Sequence, residues 1–188
     1  EHEALIAEAG VPELLRKTGW IKLFRTEQSF GKSVAELDDV KRFGVTADVL
    51  DDAAIAAREP NLMGRFAGAI HWLEPGFIPD PGALVKAYAA LFVRKGGRFL
   101  RGDAHTLHQQ AGGWRITTDD GAVSAREVVV TLGPWSDLVF KPLGYRIPLG
   151  VKRGYHQHFA PRGNAVLQHP VLDADRGYLL APMNRGIR

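Results

Sequence analysis

The chain has no cysteine among its 188 residues, which excludes disulfides, thiolate zinc sites, iron–sulfur clusters and a cysteine nucleophile. It also lacks an apolar run approaching the roughly 18 residues that a membrane span requires. Its 24 basic and 21 acidic side chains nearly balance and form no long basic cluster, so we expect no nucleic-acid partner. The remaining composition, 45% hydrophobic and 24% charged, is that of a folded domain.

The middle of the chain has the pattern of a helix that leads into a strand. Apolar residues recur with helical spacing over residues 81–95, and Asp80 followed by a proline is a typical N-cap. Two glycines, Gly96 and Gly97, end this predicted helix. The alternation over residues 98–102 then predicts a short strand.

A hairpin and a buried strand are predicted next. Residues 114–125 suit a hairpin, and the pair Asp120 and Gly121 favours a type I′ turn. The β-branched run at residues 128–130 predicts a strand buried on both faces. Gly133 at its exit has no Cβ, so a ligand or another backbone could approach closely there. The alternative is an ordinary turn at the end of a buried strand.

The flanking segments supply further predicted elements. Helices are predicted twice within residues 1–18, then at 27–42 and from the cap Asp51 to residue 58. Strands are predicted at residues 19–25, 45–50, 70–73, 147–159, 166–168 and 178–181. Mixed helices, strands and hairpins predict the α+β class, a mixed α/β fold with a mixed, largely antiparallel sheet.

Five segments resemble a known family in both order and spacing. They are residues 97–103 (GRFLRGD), 117–121 (TTDDG), 128–136 (VVVTLGPWS), 151–155 (VKRGY) and 178–182 (YLLAP). Together they are similar to the FAD-dependent D-amino acid oxidase and dehydrogenase family, and within it to the bacterial D-amino acid dehydrogenases. The similarity runs from about Trp20 onward.

The resemblance implies FAD as the cofactor and a layered organisation. Residues 81–138 would form part of the FAD-binding domain, residues 19–80 and 139–188 a discontinuous substrate-side sheet, and residues 1–18 a helical lead-in. The family opens with a Gly-x-Gly-x-x-Gly turn that cradles the flavin nucleotide's pyrophosphate, and this chain has no such motif. We therefore expect an internal fragment of a longer flavoenzyme, inactive on its own.

Cofactor contacts are implied around the glycine at the exit of the predicted strand. The backbone of Thr131, Leu132 and Gly133 would pass the flavin, and Trp135 would begin the following helix. Ala104 stands where the family usually has a valine whose backbone meets the adenine, so only the backbone contact would be kept. The alternative is that these residues merely pack strands.

Tyr178 is the first candidate for a catalytic and substrate-binding residue, because family members commonly place a tyrosine facing the substrate there. Tyr155 and Arg153 are second candidates, since a substrate carboxylate suits a guanidinium fork and a tyrosine hydroxyl. The alternatives are an interfacial aromatic for Tyr178 and a solvated charge for Arg153. The family's carboxylate-binding arginine is expected beyond residue 188.

The implied reaction is oxidative deamination of D-amino acids. A hydride passes from the substrate Cα to FAD, and the imino acid is hydrolysed to a 2-oxo acid and ammonia. Two alternatives stay open: a flavin amine oxidase acting on glycine, sarcosine or a cyclic imino acid, and a non-catalytic binding domain. The expected partner is an amino acid, with the electron acceptor undetermined. The expected location is the cytoplasm, with the inner face of the cytoplasmic membrane as the alternative.

Histidines and one serine suggest other chemistry more weakly. His156 and His158 would share one face of a predicted strand, but no third ligand is near in sequence, so we expect no metal. His71 is predicted to be a core histidine, with a place in the substrate pocket as the alternative. Ser136 lacks the Gly-x-Ser-x-Gly turn of serine hydrolases.

Overall fold

The computed structural model describes residues 1–188 apart from the side chain of Lys41. The chain divides into two compact units, one formed by residues 1–91 and 156–188 and the other by residues 92–155. The assignment of a substrate-side and a flavin-side layer stays a prediction. The α-helices are α1 (His2–Ala9), α2 (Glu27–Ala35), α3 (Leu37–Lys41), α4 (Asp52–Arg58), α5 (Pro81–Arg94) and α6 (Asp137–Phe140), and short 3-10 helices cover Pro12–Leu14 and Gly133–Trp135.

The first unit is built on a five-stranded sheet. Its strands are β1 (Trp20–Phe24), β2 (Ala47–Leu50), β3 (Gly68–Trp72), β7 (Val171–Asp173) and β8 (Tyr178–Leu180), in the order β2-β3-β1-β7-β8. Only the pairing of β1 with β7 is parallel. This confirms the predicted mixed, largely antiparallel sheet. A small hairpin of β9 (Pro182–Met183) and β10 (Gly186–Ile187) follows β8.

Alternation along the strands gives this sheet two buried faces. One face packs Ile21, Leu23 and Val171 against Ile55 of α4. The other face packs Phe24 and Ile70 against α2 and α3, with the residues Phe30, Val34, Leu37 and Val40. A separate apolar cluster joins Ile6 of α1 and Leu14 to Leu84 of α5. The discontinuous chain segments are therefore held in one unit by a shared core.

The second unit contains a three-stranded antiparallel sheet. It is formed by β4 (Gly102–Gln110), β5 (Gly113–Thr118) and β6 (Gly121–Ala125), and α6 contacts β4. The predicted hairpin is confirmed, but the predicted type I′ turn is wrong. Asp119 and Asp120 lie between the paired residues Thr118 and Gly121, and of the turn residues only Gly121 has a positive φ, 104°. A type I′ turn would need a positive φ at both central residues.

Helix ends were predictable from their caps. The Asp51 carboxylate accepts a hydrogen bond from Ala54 N at 2.8 Å at the start of α4. Asp80 accepts one from Ala83 N at 2.9 Å at the start of α5. The helix predicted over residues 27–42 is instead two helices, because Glu36 with ψ −11° interrupts the α-helical path.

Several predicted strands are wrong. Residues 98–101 have no regular secondary structure, and the strand begins only at Gly102. Residues 147–158 and 166–168 have no regular structure, and Phe159 forms only an isolated bridge with Ile187. The run at 128–130 is not a buried strand either, since Val129 is 83% exposed. No strand of the described residues pairs with this run, so it belongs to no sheet.

Candidate functional site

Tyr178 opens the edge strand β8, directly after the turn that follows β7. It is 41% exposed and lies opposite Asp173 in the β7–β8 register. Because β7 pairs in parallel with β1, the residue after β1, Arg25, reaches the same place. The Nη2 of Arg25 donates to the Tyr178 hydroxyl oxygen over 3.4 Å. Strand pairing thus brings Arg25 beside Asp173 and Tyr178, which lie 148 and 153 positions later in the sequence.

Asp173 anchors this group from inside the sheet. Only 1% of its surface is exposed, and its carboxylate accepts hydrogen bonds from Arg25 Nε at 2.7 Å and from the backbone N–H of Arg176 at 3.0 Å. Burial alone would raise its pKa, but these hydrogen bonds hold the pKa of Asp173 below its usual value. We call Arg25, Asp173 and Tyr178 the tyrosine cluster.

The segment predicted to meet the cofactor lies in the second unit and is open. Thr131, Leu132 and Trp135 are exposed. Gly133 has φ 55°, and a Cβ added there would meet no atom within 4 Å. The short helix Gly133–Trp135 begins at this glycine and ends at Trp135, so the prediction that Trp135 begins the following helix is wrong. The Gly133 backbone is therefore open to solvent on the side where a Cβ would lie.

The other predicted site residues also lie in the second unit. Ala104 is half-buried within β4, beside the irregular register between Asp103 and His108. The sequence predicted a strand that ends at residue 102, before Ala104, but the structure has Ala104 inside a strand. Arg153 and Tyr155 lie in an exposed segment without regular structure. Tyr178 belongs to the first unit, whereas these residues and the Gly133 segment belong to the second.

A second buried polar group was not predicted. Glu59 has no exposed surface, and its carboxylate accepts hydrogen bonds from the backbone N–H of Gln168 and of His169 and pairs with His169 Nδ1 at 2.8 Å. The His169 ring meets the His71 ring edge to face, with 4.7 Å between centroids. These contacts tie the segment before β7 to the end of α4.

His71 is buried, 6% exposed, with Nε2 2.8 Å from the carbonyl oxygen of Thr18. Its Nδ1 has no hydrogen-bond partner among the described residues. Desolvation lowers the pKa of His71, although the Thr18 carbonyl opposes the shift, and the nearby His169 lowers the pKa further. His71 is therefore buried in the core, as predicted. Only one of the two ring nitrogens of His71 has a hydrogen-bond partner among the described residues.

His156 and His158 lie close together, with ring centroids 5.7 Å apart. Within the part of the chain that the structure describes, no three His, Cys, Asp or Glu side chains are grouped as metal ligands would be. Nor does any helix of the described residues combine the length and apolar character needed to cross a bilayer.

The fold matches that of a solved oxidase, and the sequence matches the model of an oxidoreductase family. The chain belongs to the family described as FAD dependent oxidoreductase (DAO), whose model matches residues 1–188. This confirms the predicted family and the predicted cofactor, because members of this family depend on FAD.

Named relatives agree with this family. A D-amino acid dehydrogenase of Xylella fastidiosa is 32% identical over 180 residues, covering 93% of this chain and 39% of the relative. A D-amino-acid oxidase of Bradyrhizobium diazoefficiens is 30% identical over 82% of this chain and 37% of its own length. Glycine oxidase from Geobacillus kaustophilus has the same fold, with a TM-score of 0.73 at 19% identity, over 100% of this chain and 51% of that one. The chain spans about two fifths of the curated relatives it matches.

Proposed function

We propose that the full-length protein is an FAD-dependent D-amino acid dehydrogenase, which deaminates D-amino acids oxidatively to 2-oxo acids and ammonia. The observation that carries this proposal is the 32% identity to a D-amino acid dehydrogenase across 93% of the chain. The tyrosine cluster supports it from the structure, because it places a partly exposed tyrosine at the start of a paired strand. A site on a strand holds its groups more accurately than a site on a loop.

The residues have distinct proposed roles. Tyr178 would donate a hydrogen bond to the substrate carboxylate, which orients the substrate Cα–H bond. FAD, when bound, supplies the hydride acceptor. Loss of the hydride from the neutral-amine form leaves the protonated imino acid, and water then adds to the C=N bond and releases the nitrogen as ammonium. Arg153 and Tyr155 remain proposed second contacts to the substrate.

The described residues fit part of a flavin site. Gly133 leaves open space beside its backbone, and the neighbouring Leu132 and Trp135 offer exposed apolar surface suited to an aromatic ring system. Thr131 would contribute backbone atoms to the same contact, and Ala104 a separate backbone contact to the adenine. Since no Gly-x-Gly-x-x-Gly turn occurs in this sequence, these residues would not hold the pyrophosphate.

The test is to purify the full-length protein and mix it anaerobically with single substrates. We expect flavin absorption bands, and we expect D-alanine and other D-amino acids to bleach them, with L-alanine as the matched control. Bleaching by glycine, sarcosine or a cyclic imino acid alone would replace the D-amino acid assignment with that of another flavin amine oxidase. A folded full-length protein without flavin bands would favour the non-catalytic alternative.

Two further parts of the proposal rest on the family resemblance alone. We propose a cytoplasmic location, and association with the inner face of the membrane is the alternative that cell fractionation would reveal. The electron acceptor would be identified by the oxidant that restores the bleached flavin bands, with oxygen and a quinone as the two matched additions.

A further inference from the structure

One face of the five-stranded sheet has a lysine in the middle of an aromatic row. Alternate residues of a strand share a face, so Trp20, Lys22 and Phe24 of β1 lie on the side opposite to the buried Ile21 and Leu23. β1 is an inner strand of the sheet, between β3 and β7. A half-buried ammonium group at such a position is costly unless another group stabilises its charge.

Lys22 has an aromatic neighbour but no acceptor. Its Nζ lies 5.3 Å from the centroid of the Phe24 ring, which attracts the cation but leaves its N–H donors without an oxygen partner. Among the described residues, none forms an ion pair or a hydrogen bond with the Lys22 side chain. The ammonium group is therefore open to an anion.

Lys22 lines an open cavity of about 430 Å³. The walls of this cavity come from α2 and from β1 and β7. They include the hydroxyl-bearing residues Ser29 and Ser33 and the apolar residues Phe24 and Leu172. A volume of this size suits a small organic ligand.

The acidic residues around this cavity already have partners. Asp173 pairs with Arg25, and Asp175 accepts a hydrogen bond from the Arg25 backbone N–H at 2.6 Å. Glu36 follows Lys32 by four positions at the end of α2, a spacing at which opposite charges offset each other. These pairings leave the charge of the lysine on β1 unmatched.

An apolar groove of about 330 Å³ adjoins the cavity on the same face of the sheet. Leu172 lines both, and it pairs in register with Lys22 on one side and with Leu179 on the other. Trp20 and Phe77 line the groove together with Leu179, which is 52% exposed. The unmatched cation thus lies beside an open apolar surface.

We propose that this face binds a carboxylate with an apolar chain, whose carboxylate pairs with the Lys22 ammonium while its chain lies in the groove along Trp20 and Leu179. Such a ligand supplies the acceptor that Lys22 lacks and covers exposed apolar surface. The side chains of Leu172 and Asp173 lie on opposite faces, because the two residues are consecutive on β7. The site is therefore separate from the tyrosine cluster and goes beyond the proposed function.

The test is binding to the full-length protein, followed by NMR. Labelling with [13Cε]lysine and [15N]tryptophan reports both ends of the site, and the Lys22 and Trp20 resonances are assigned by their loss in Lys22→Arg and Trp20→Phe. We expect hexanoate to shift both resonances saturably. Acetate has the charge without the chain and hexan-1-ol the chain without the charge, so each should bind at least about tenfold more weakly.

Two substitutions test the two ends separately, with the Trp20 resonance as the reporter. Lys22→Met keeps a long side chain without the charge and should weaken hexanoate binding about tenfold. Lys22→Arg keeps the charge and should keep most of the binding. Leu179→Ser should weaken binding roughly three- to tenfold, because apolar contact with the chain is lost.

Lys86→Met and Leu5→Ser are the matched controls, because both residues are exposed on helices of the same unit. Neither should change hexanoate binding. Normal binding by a folded Lys22→Met variant, or equal binding of hexanoate and hexan-1-ol, would overturn the inference. It would also be overturned if hexanoate left the Lys22 resonance in place, or if inorganic phosphate bound more tightly than hexanoate.

Discussion

Glu59 shows how much can depend on a single buried carboxylate. Its oxygens accept hydrogen bonds from three donor groups of Gln168 and His169, two of which are backbone N–H groups. A carboxylate is acceptor-only and so matches a site lined by donors. The segment that precedes β7 is joined to the end of α4 through this residue, although 109 positions separate Glu59 from Gln168.

Replacing Glu59 with glutamine should therefore destabilise the protein. The amide NH2 group would face N–H donors, and the charge that strengthens their hydrogen bonds would be lost. We expect Glu59→Gln to lower the free energy of unfolding by about 2–4 kcal/mol, measured by urea denaturation. Glu13→Gln, at an exposed carboxylate, should change it by less than about 0.5 kcal/mol. Equal effects of the two substitutions would show that the buried contacts contribute little.

The polar sites also mark the limit of what local sequence reveals about single residues. Tyr178 was identified through its segment's resemblance to a family. Arg25 and Asp173 were missed, because their ion pair joins residues 148 positions apart and exists only through the pairing of β1 with β7. Glu59 was missed for the same reason. The sequence offered one signal: Asp173 directly follows the apolar residues Val171 and Leu172. A carboxylate in an apolar segment suggests a buried charge that needs a cationic partner.

At the scale of elements, β3 and α2 approach each other unusually closely. Gly68 begins β3, and a Cβ at this position would overlap the ring of Phe30. That ring cannot move away freely, since it packs against Phe24 with 5.7 Å between centroids. The absence of a side chain at Gly68 thus sets how tightly the helix lies on the sheet.

Gly68→Ala should destabilise the protein by about 1–3 kcal/mol through overpacking. Gly31→Ala is the matched control, because Gly31 lies on the exposed side of α2 and a Cβ added there would meet no atom within 4 Å. It should stabilise the protein by about 0.5–1 kcal/mol through helix propensity. Thermal or urea unfolding of both variants checks the opposite signs. A neutral Gly68→Ala variant would mean that Phe30 is free to move.

Elements with local signals were predictable, and those that depend on distant partners were not. The caps Asp51 and Asp80 located α4 and α5, because a cap acts on its own helix. The strand predicted at 128–130 failed, because β-branched residues form a strand only beside a partner. The short strand β7 was not predicted, although it joins β1 to β8. Hydrophobic pattern therefore indicated the class of fold but not the complete order of strands.

At the scale of the whole chain, stability should vary with pH in two separate ranges. Asp173 has a pKa held below its usual 3.8 by hydrogen bonds that outweigh burial, so its stabilising contribution is present above that pH and is lost as the pH falls further. His71 acts in a higher range. Burial lowers its pKa from the usual 6.5, so the unfolded chain binds a proton more readily than the folded one. The free energy of unfolding should therefore begin to fall as the pH drops below about 6.5. The fall that is due to His71 ends once the pH is below the pKa of His71 in the folded chain.

The contribution of His71 can be isolated by substitution. The groups that face it are the Thr18 carbonyl, the His169 ring, Arg58 and Asp48. Protonation would place a cation against His169 and Arg58 in a buried site, and Asp48 offsets this only in part. His71→Gln keeps an N–H donor for Thr18 but has no titrating group. We expect its unfolding free energy to vary less between pH 7 and pH 5 than that of the unsubstituted chain, on the usual histidine titration range.

The control is His108→Gln, because His108 is exposed and should keep the full pH dependence. Urea denaturation at several pH values measures both variants. A His71→Gln curve parallel to that of the unsubstituted chain would assign the loss of stability near neutral pH to other groups. A flattened curve would instead show that burial of one neutral ring couples the stability of the first unit to pH.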